Sequence, residues 1–283
     1  TLPIKHLSEQ TGICILCTIH RIPIEYKGRK MREFEPQEGV RFIKNVLIPT
    51  SDGTHLAMDL HLPDNDQWQQ TPHPIIVEYI PYRKDDTPPY SGHHHTFAKN
   101  GFIGARIDCR GTGSSEGTTQ DEYTQREQQD GAEAIDWIGQ QPWSNGKVAM
   151  FGASYGGFTA VQVAALQPKH LATIIPMYFT DDRYTNDCHY RGGAMRCYYD
   201  IGAYGASMIG MNAMPPYPEY VDDNWADLWT THLEGNEPYL LQWLSHQTDG
   251  KYWRPGSIRD RYDSIQCPVF MIGGWQDGYA TCN

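Results

Sequence analysis

The pentapeptide Gly152-Ala153-Ser154-Tyr155-Gly156 stands between the apolar run Lys147-Val148-Ala149-Met150-Phe151 and a stretch of small residues over 157–166. A short apolar run, a glycine-rich turn and then small helix-forming residues make up the strand, turn and helix that a nucleophile elbow requires. Small residues flank the serine because the turn is strained and the two backbones approach closely. The arrangement lifts the Ser154 hydroxyl to the carboxyl end of a sheet and aims the N–H of Tyr155, at the helix start, toward a developing oxyanion. A bare strand-to-helix turn with an incidental serine is the plainer alternative, and the flanking context argues against it.

A serine hydroxyl is weakly nucleophilic until a histidine takes its proton, and that histidine must be oriented by a carboxylate. In elbow proteins the partners follow in the order serine, acid, histidine, each on a loop after a later strand. The β-branched run Cys267-Pro268-Val269-Phe270-Met271-Ile272 leads into Gly273-Gly274-Trp275-Gln276-Asp277-Gly278, which puts Asp277 on the loop that leaves a strand. An aspartate before glycine is also an ordinary turn residue, but its place in the order favours the catalytic role. The chain ends at Asn283 with no histidine after Asp277. The sequence is therefore expected to be a fragment, with the base beyond residue 283. Of the upstream histidines, His93-His94-His95 reads as a solvated loop or helix start, and His189 as a pocket-lining residue.

Further segments carry a resemblance: Ile48-Pro49-Thr50-Ser51-Asp52-Gly53-Thr54-His55-Leu56-Ala57, Pro81-Tyr82-Arg83-Lys84, Asp108-Cys109-Arg110-Gly111-Thr112-Gly113-Ser114-Ser115-Glu116-Gly117, the elbow, and Gly273 to Gly278. With these the chain resembles the cocaine-esterase and X-prolyl dipeptidyl-peptidase family of α/β-hydrolases, from about Val46 onward. A subgroup is similar in carrying Thr180-Asp181-Asp182-Arg183-Tyr184, then Asp187, His189-Tyr190 and Gly192-Gly193. The resemblance implies a base from a later Gly-Pro-Trp-x-His segment, followed by a β-rich jelly-roll domain. It also implies that Tyr82 contributes a phenol as second oxyanion donor. Tyr82 follows the apolar strand at 74–80, and such a position borders the ligand crevice of a parallel sheet. A tyrosine packed over the sheet edge is the structural alternative. Asp181 and Asp182, with His189, are placed near the substrate pocket.

At 283 residues the chain can bury one large core, and its net charge of −11 argues against nucleic acid and anionic membranes as partners. Seven cysteines without a regular framework read as reduced thiols of a cytoplasmic protein, and Cys14 with Cys17 forms a lone pair too isolated for zinc. No metal, nucleotide or flavin motif appears, so no cofactor is expected; homo-oligomerisation is left open.

Residues 1–30 do not fit the rest and read as an extension before a start near Met31; the apolar run at 12–19 is too short to span a bilayer. A hydrolase core is expected over 31–178, a helical cap over 179–263, and the incomplete end of the core over 264–283. Two alternating runs around Ser51-Asp52-Gly53 predict a hairpin at the antiparallel edge. Parallel strands are expected at 74–80, 102–108, 147–151, 172–177 and 268–272, with helices at 96–100, 122–140 and 155–167. This alternation predicts an α/β-hydrolase fold with a mostly parallel, doubly covered sheet. Asp108 and Arg110 are expected to form an ion pair that fixes the 111–117 loop. Trp225, Trp229, Trp243 and Trp253 mark the cap, most of them as its own small core. The reaction expected is acyl transfer to water through acyl-Ser154, on a small ester or amide. Two alternatives remain: a dipeptidyl peptidase cutting after proline, and a non-catalytic scaffold that binds a ligand or partner.

Overall fold

The computed structural model describes residues 25–26, 29–64, 71–88 and 90–279. The Cys14/Cys17 pair and nearly all of the proposed extension lie outside the described residues. Seven strands form one sheet: β1 (Arg32–Gln37), β2 (Val40–Pro49), β3 (His55–Pro63), β4 (His73–Ile80), β5 (Ile103–Asp108), β6 (Ser144–Ala153) and β7 (Leu171–Met177). Their spatial order is β1-β2-β3-β5-β4-β6-β7. The first three strands and the β3–β5 pair are antiparallel, and β5, β4, β6 and β7 run parallel. The hairpin around Asp52 is as expected, and its strands form the antiparallel side of a mixed sheet.

Helix α1 (Gly92–Lys99) crosses between β4 and β5, α2 (Gln125–Gly139) between β5 and β6, and α3 (Tyr155–Ala164) between β6 and β7. Met150 and Phe151 are neighbours on β6 and so point to opposite faces. Phe151 meets Phe97 of α1 edge-on, with centroids 5.2 Å apart. Met150 joins the main core with Ile135 and Ile138 of α2 and Val161 and Val163 of α3. Both faces of the sheet are thus covered. The three histidines of 93–95 do begin a helix, but His94 is buried beside His61 rather than solvated.

The run at 268–272 pairs with β7 only as two isolated parallel bridges, Ile174 with Val269 and Met177 with Ile272. Its backbone still follows a strand path, with Phe270 N–H donating to Ile174 O at 3.0 Å and Ile272 N–H to Pro176 O at 3.1 Å. A segment with a ladder on one side alone has half the hydrogen bonds of an interior strand. Phe270 is accordingly 65% exposed and Trp275 98%.

Between β7 and this edge the chain leaves the sheet and forms α4 (Tyr204–Ala213), α5 (Trp225–Gly235) and α6 (Tyr239–Ser245). Trp243 and Trp253 are fully buried here with Tyr190, Met208 and Tyr239 in a second, smaller core, while Trp225 stacks on Trp229 at 6.1 Å.

One expected contact is corrected. Asp108 and Arg110 do not pair with each other. Asp108 accepts the N–H groups of Lys84 at 2.7 Å and Ser114 at 2.9 Å, whereas Arg110 reaches Asp130 on α2 at 2.6 Å and Asp52 in the hairpin turn at 3.0 Å. Each side chain takes the partners that the elements packed against it present. Burial raises Asp108 to about 6, against the lowering pull of Lys84 and of the backbone N–H groups that it holds.

Candidate active site

Ser154 is the one residue between the end of β6 and the start of α3, and it adopts φ 54° and ψ −116°. A non-glycine residue held there carries strain of about 1–3 kcal/mol, sustained only by its surroundings. Those surroundings are backbone: Ser154 N–H donates to Met177 O at 2.9 Å, and Ser154 O accepts from Gly157 at 2.8 Å and Phe158 at 3.0 Å. A Cβ on Gly152 would lie 2.7 Å from Gly156 Cα, and one on Gly157 would lie 2.6 Å from Met177 O. The glycines are therefore dictated by close approach of strand and helix.

Tyr155 occupies the first position of α3, where the N–H has no acceptor within the helix and the helix dipole favours negative charge. Its ring is fully buried. Tyr82 lies two residues past β4, partly buried, with its ring edge-on to Tyr155 at 5.7 Å. Burial raises the Tyr82 phenol far above its ordinary value, so it stays protonated and able to donate. Its loop is anchored beneath by a buried charge cluster. Lys84 Nζ reaches Asp59 and Asp85, both at 2.8 Å, and Lys44 Nζ reaches Asp59 at 2.9 Å. Arg83 adopts φ 55°, and its guanidinium donates to Met214 O at 3.0 Å and Pro215 O at 2.9 Å at the end of α4.

Asp277 sits half-buried on the loop after the 268–272 edge; its N–H donates to Gly274 O at 3.0 Å, and its Oδ1 accepts Tyr279 N–H at 2.8 Å. Tyr279 closes this loop over α3, its ring edge-on to Phe158 at 6.0 Å and its phenol facing the Ser154 hydroxyl. The structure thus brings together the loops of Ser154, Tyr155, Tyr82 and Asp277.

The three residues expected at the pocket each have protein partners. Asp181 pairs with Arg259 at 3.3 Å. Asp182 Oδ1 accepts the N–H groups of Tyr184 at 2.8 Å and Thr185 at 2.9 Å. His189 has no exposed surface; its Nδ1 is 2.6 Å from Asp200 and its Nε2 meets Glu122. Both of its ring nitrogens are committed, so it is a network member rather than a base poised for Ser154. Burial opposes its charge, but Cys188, Glu122 and Asp200 outweigh that and hold it well above the usual histidine value. Arg183 also binds Glu122. Asp187 keeps Oδ2 without a hydrogen bond, 4.0 Å from Arg183 Nε. Asp187, Cys188 and His189 offer ligand atoms within 4.8 Å of one another, and the two nitrogen engagements of His189 weigh against a metal there.

Glu122, Glu127, Arg183, Asp200 and Tyr279 were not legible as site residues. Glu122 and Glu127 fell within the helix expected over 122–140, and their partners lie on other elements. For Tyr279 the available signal was its position two residues past the acid.

Residues 52–283 match the family described as X-Pro dipeptidyl-peptidase (S15 family). The chain belongs to that S15 family. Cocaine esterase from Rhodococcus sp. (strain MB1 Bresler) is 26% identical over 259 residues, covering 83% of this chain and 44% of that protein. The chain therefore spans less than half the length of this curated relative. A CocE/NonD family hydrolase from Staphylococcus aureus shares the fold with a TM-score of 0.66 at 20% identity, over 89% of this chain and 44% of that one. An aminopeptidase from a marine sediment Thaumarchaeota archaeon does so with a TM-score of 0.64 at 20% identity, over 85% and 44%. The S15 chain thus has the α/β-hydrolase fold, and its glycine-bound elbow is where such a sheet presents a nucleophile. No described helix is long and apolar enough to cross a membrane.

Proposed function

We propose that the protein is a serine hydrolase that transfers the acyl group of a small ester or amide to water through an acyl-Ser154 intermediate. The observation that carries this is the conformation of Ser154, held at φ 54° between β6 and α3 by Met177 and by the glycine contacts. In this scheme the Ser154 oxygen attacks the carbonyl, and the Tyr155 N–H and the Tyr82 phenol donate to the oxyanion. Asp277 orients a histidine that takes the serine proton and returns it to the leaving group; water then repeats the cycle on the acyl-enzyme. We place that histidine beyond residue 283. Supporting this, five of the described histidines are engaged elsewhere: His55 with Glu116, His170 with Asp136, His189 with Glu122 and Asp200, His232 with Ser115 O and His246 with Gln242 O.

A helical cap over 179–263 belongs to the same reading, with Arg83 tying the end of α4 to the Tyr82 loop. So does a cytoplasmic enzyme without nucleic-acid or membrane partner, which the net charge of −11 supports.

A second reading, a peptidase releasing dipeptides after proline, is favoured by the family match.

The test is fluorophosphonate labelling of a form extended past residue 283, beside the 283-residue chain and Ser154→Ala. Labelling of the extended form, abolished by Ser154→Ala, is expected; no labelling in any form would favour a binding scaffold. Ester and X-Pro-amide substrates given to the labelled form then separate esterase from peptidase.

A further inference from the structure

Glu127 takes no part in this scheme, yet it is buried and bonded to the residue that follows the nucleophile. The Tyr155 hydroxyl lies 3.0 and 2.9 Å from the two Glu127 carboxyl oxygens and donates to them, and Glu127 is only 5% exposed. The acid is fixed from behind. Thr124 Oγ accepts the Glu127 N–H at 3.1 Å as the cap of α2, and the Tyr79 hydroxyl donates to Glu127 O at 3.2 Å. The Tyr155 ring is fixed in turn, packed on Tyr123 with centroids 4.3 Å apart and on the edge of Tyr82 at 5.7 Å. A continuous set of contacts therefore runs from the start of α2, through one carboxyl and one ring, to both proposed oxyanion donors.

We propose that Glu127 is the positioning residue of the oxyanion hole, holding through the Tyr155 ring both the Tyr155 amide and the Tyr82 phenol in the aim that the reaction needs. This rests on the acyl-transfer reading. A donor that is misaimed loses its differential hold on the transition state while substrate binding survives, so the effect belongs in kcat rather than KM.

The same carboxyl gives the position a charge state. Facing it are Asp130 of its own helix, Glu122 and Tyr123 from the preceding segment, Tyr79 of β4, Cys109 beyond β5, Tyr155 of α3 and Tyr239 of α6. Among these groups Asp130 has cationic partners in Arg110 and Arg126, and Glu122 in Arg183 and His189. Burial, reinforced by Glu122 and Asp130, pushes the Glu127 carboxyl up to about 8, so it is neutral at pH 7. Once ionised it places a negative charge behind the helix end that must attract an oxyanion, and turnover falls.

The experiment is kcat and KM for a p-nitrophenyl ester from pH 6 to 10, on the form extended past residue 283, for wild type, Tyr155→Phe, Glu127→Leu and Glu127→Gln, with Tm for each. Tyr155→Phe and Glu127→Leu are expected to lower kcat about 10-fold at pH 7 with KM within about 2-fold. Glu127→Gln, which still accepts the Tyr155 proton, is expected to restore most of the kcat and to abolish the fall above pH 8. An alkaline fall that persists in Glu127→Gln overturns the inference, as does a kcat indifferent to both Glu127 variants. If Glu127→Leu does not fold, the Glu127→Gln profile alone decides. Absence of Ser154 labelling in wild type overturns the acyl-transfer reading itself, whereas a labelled wild type insensitive at Glu127 overturns the positioning role only.

Discussion

The carbonyl oxygen of Met177 accepts the N–H of Ser154 at 2.9 Å, and a Cβ on Gly157 would come within 2.6 Å of that same oxygen. One atom at the end of β7 therefore holds the Ser154 backbone and forbids a side chain in the first turn of α3. Gly157→Ala must move either the helix or Met177, and overpacking of this kind costs about 1–3 kcal/mol. At roughly 2–4 °C of Tm per kcal/mol for a chain of this size, calorimetry should show a clear fall. An unchanged Tm would mean that strand and helix separate freely here.

Tyr82→Phe removes the phenol proposed as an oxyanion donor and leaves the ring on Tyr155. Loss of one such donor costs on the order of 10²-fold to 10³-fold in turnover. Steady-state kinetics should place the loss in kcat; a loss confined to KM would make Tyr82 a binding residue.

Acid should destabilise the fold through His61. Burial chiefly lowers its folded value to about 4, against an unfolded value near 6.5. The unfolded chain binds the proton first, so the stability from this group is complete above pH 6.5 and is lost progressively as pH falls toward 4. The loss amounts to about 3 kcal/mol over that window. Urea titrations at several pH values should show it, and His61→Leu should flatten the slope; an equal slope in the variant would assign the acid sensitivity to other groups.

Arg183 is 2% exposed and binds Glu122, with Asp187 close by. Arg183→Leu leaves those carboxylates uncompensated in the interior, and breaking a buried pair from one side costs about 3–5 kcal/mol. A urea titration giving less than a third of that loss in unfolding free energy would show that His189 alone neutralises Glu122.

Much of this molecule could be read without coordinates. Apolar runs at strand length and the Ser51-Asp52-Gly53 turn set the strand order in sequence, and the elbow's glycines announced a backbone contact that Gly152 and Gly157 make. The segment at 268–272 was legible as a strand, but its pairing with β7 through two isolated bridges was not. His94 shows the same limit: a polar run was visible, and its burial against His61 was not.

The sequence by itself determined which residues lie on which element, because periodicity and turn chemistry act over a few neighbours along the chain. Only the tertiary structure decided who pairs with whom among the buried charges. Asp108 holds Lys84 and Ser114 rather than Arg110, Arg110 holds Asp130, Glu127 holds Tyr155 and His189 joins Glu122 to Asp200. The physical reason is that a charge taken out of water must find a partner wherever the packed elements bring one within hydrogen-bonding reach. That partner is set by which strands and helices become neighbours, a choice made over tens of residues that local pattern does not encode.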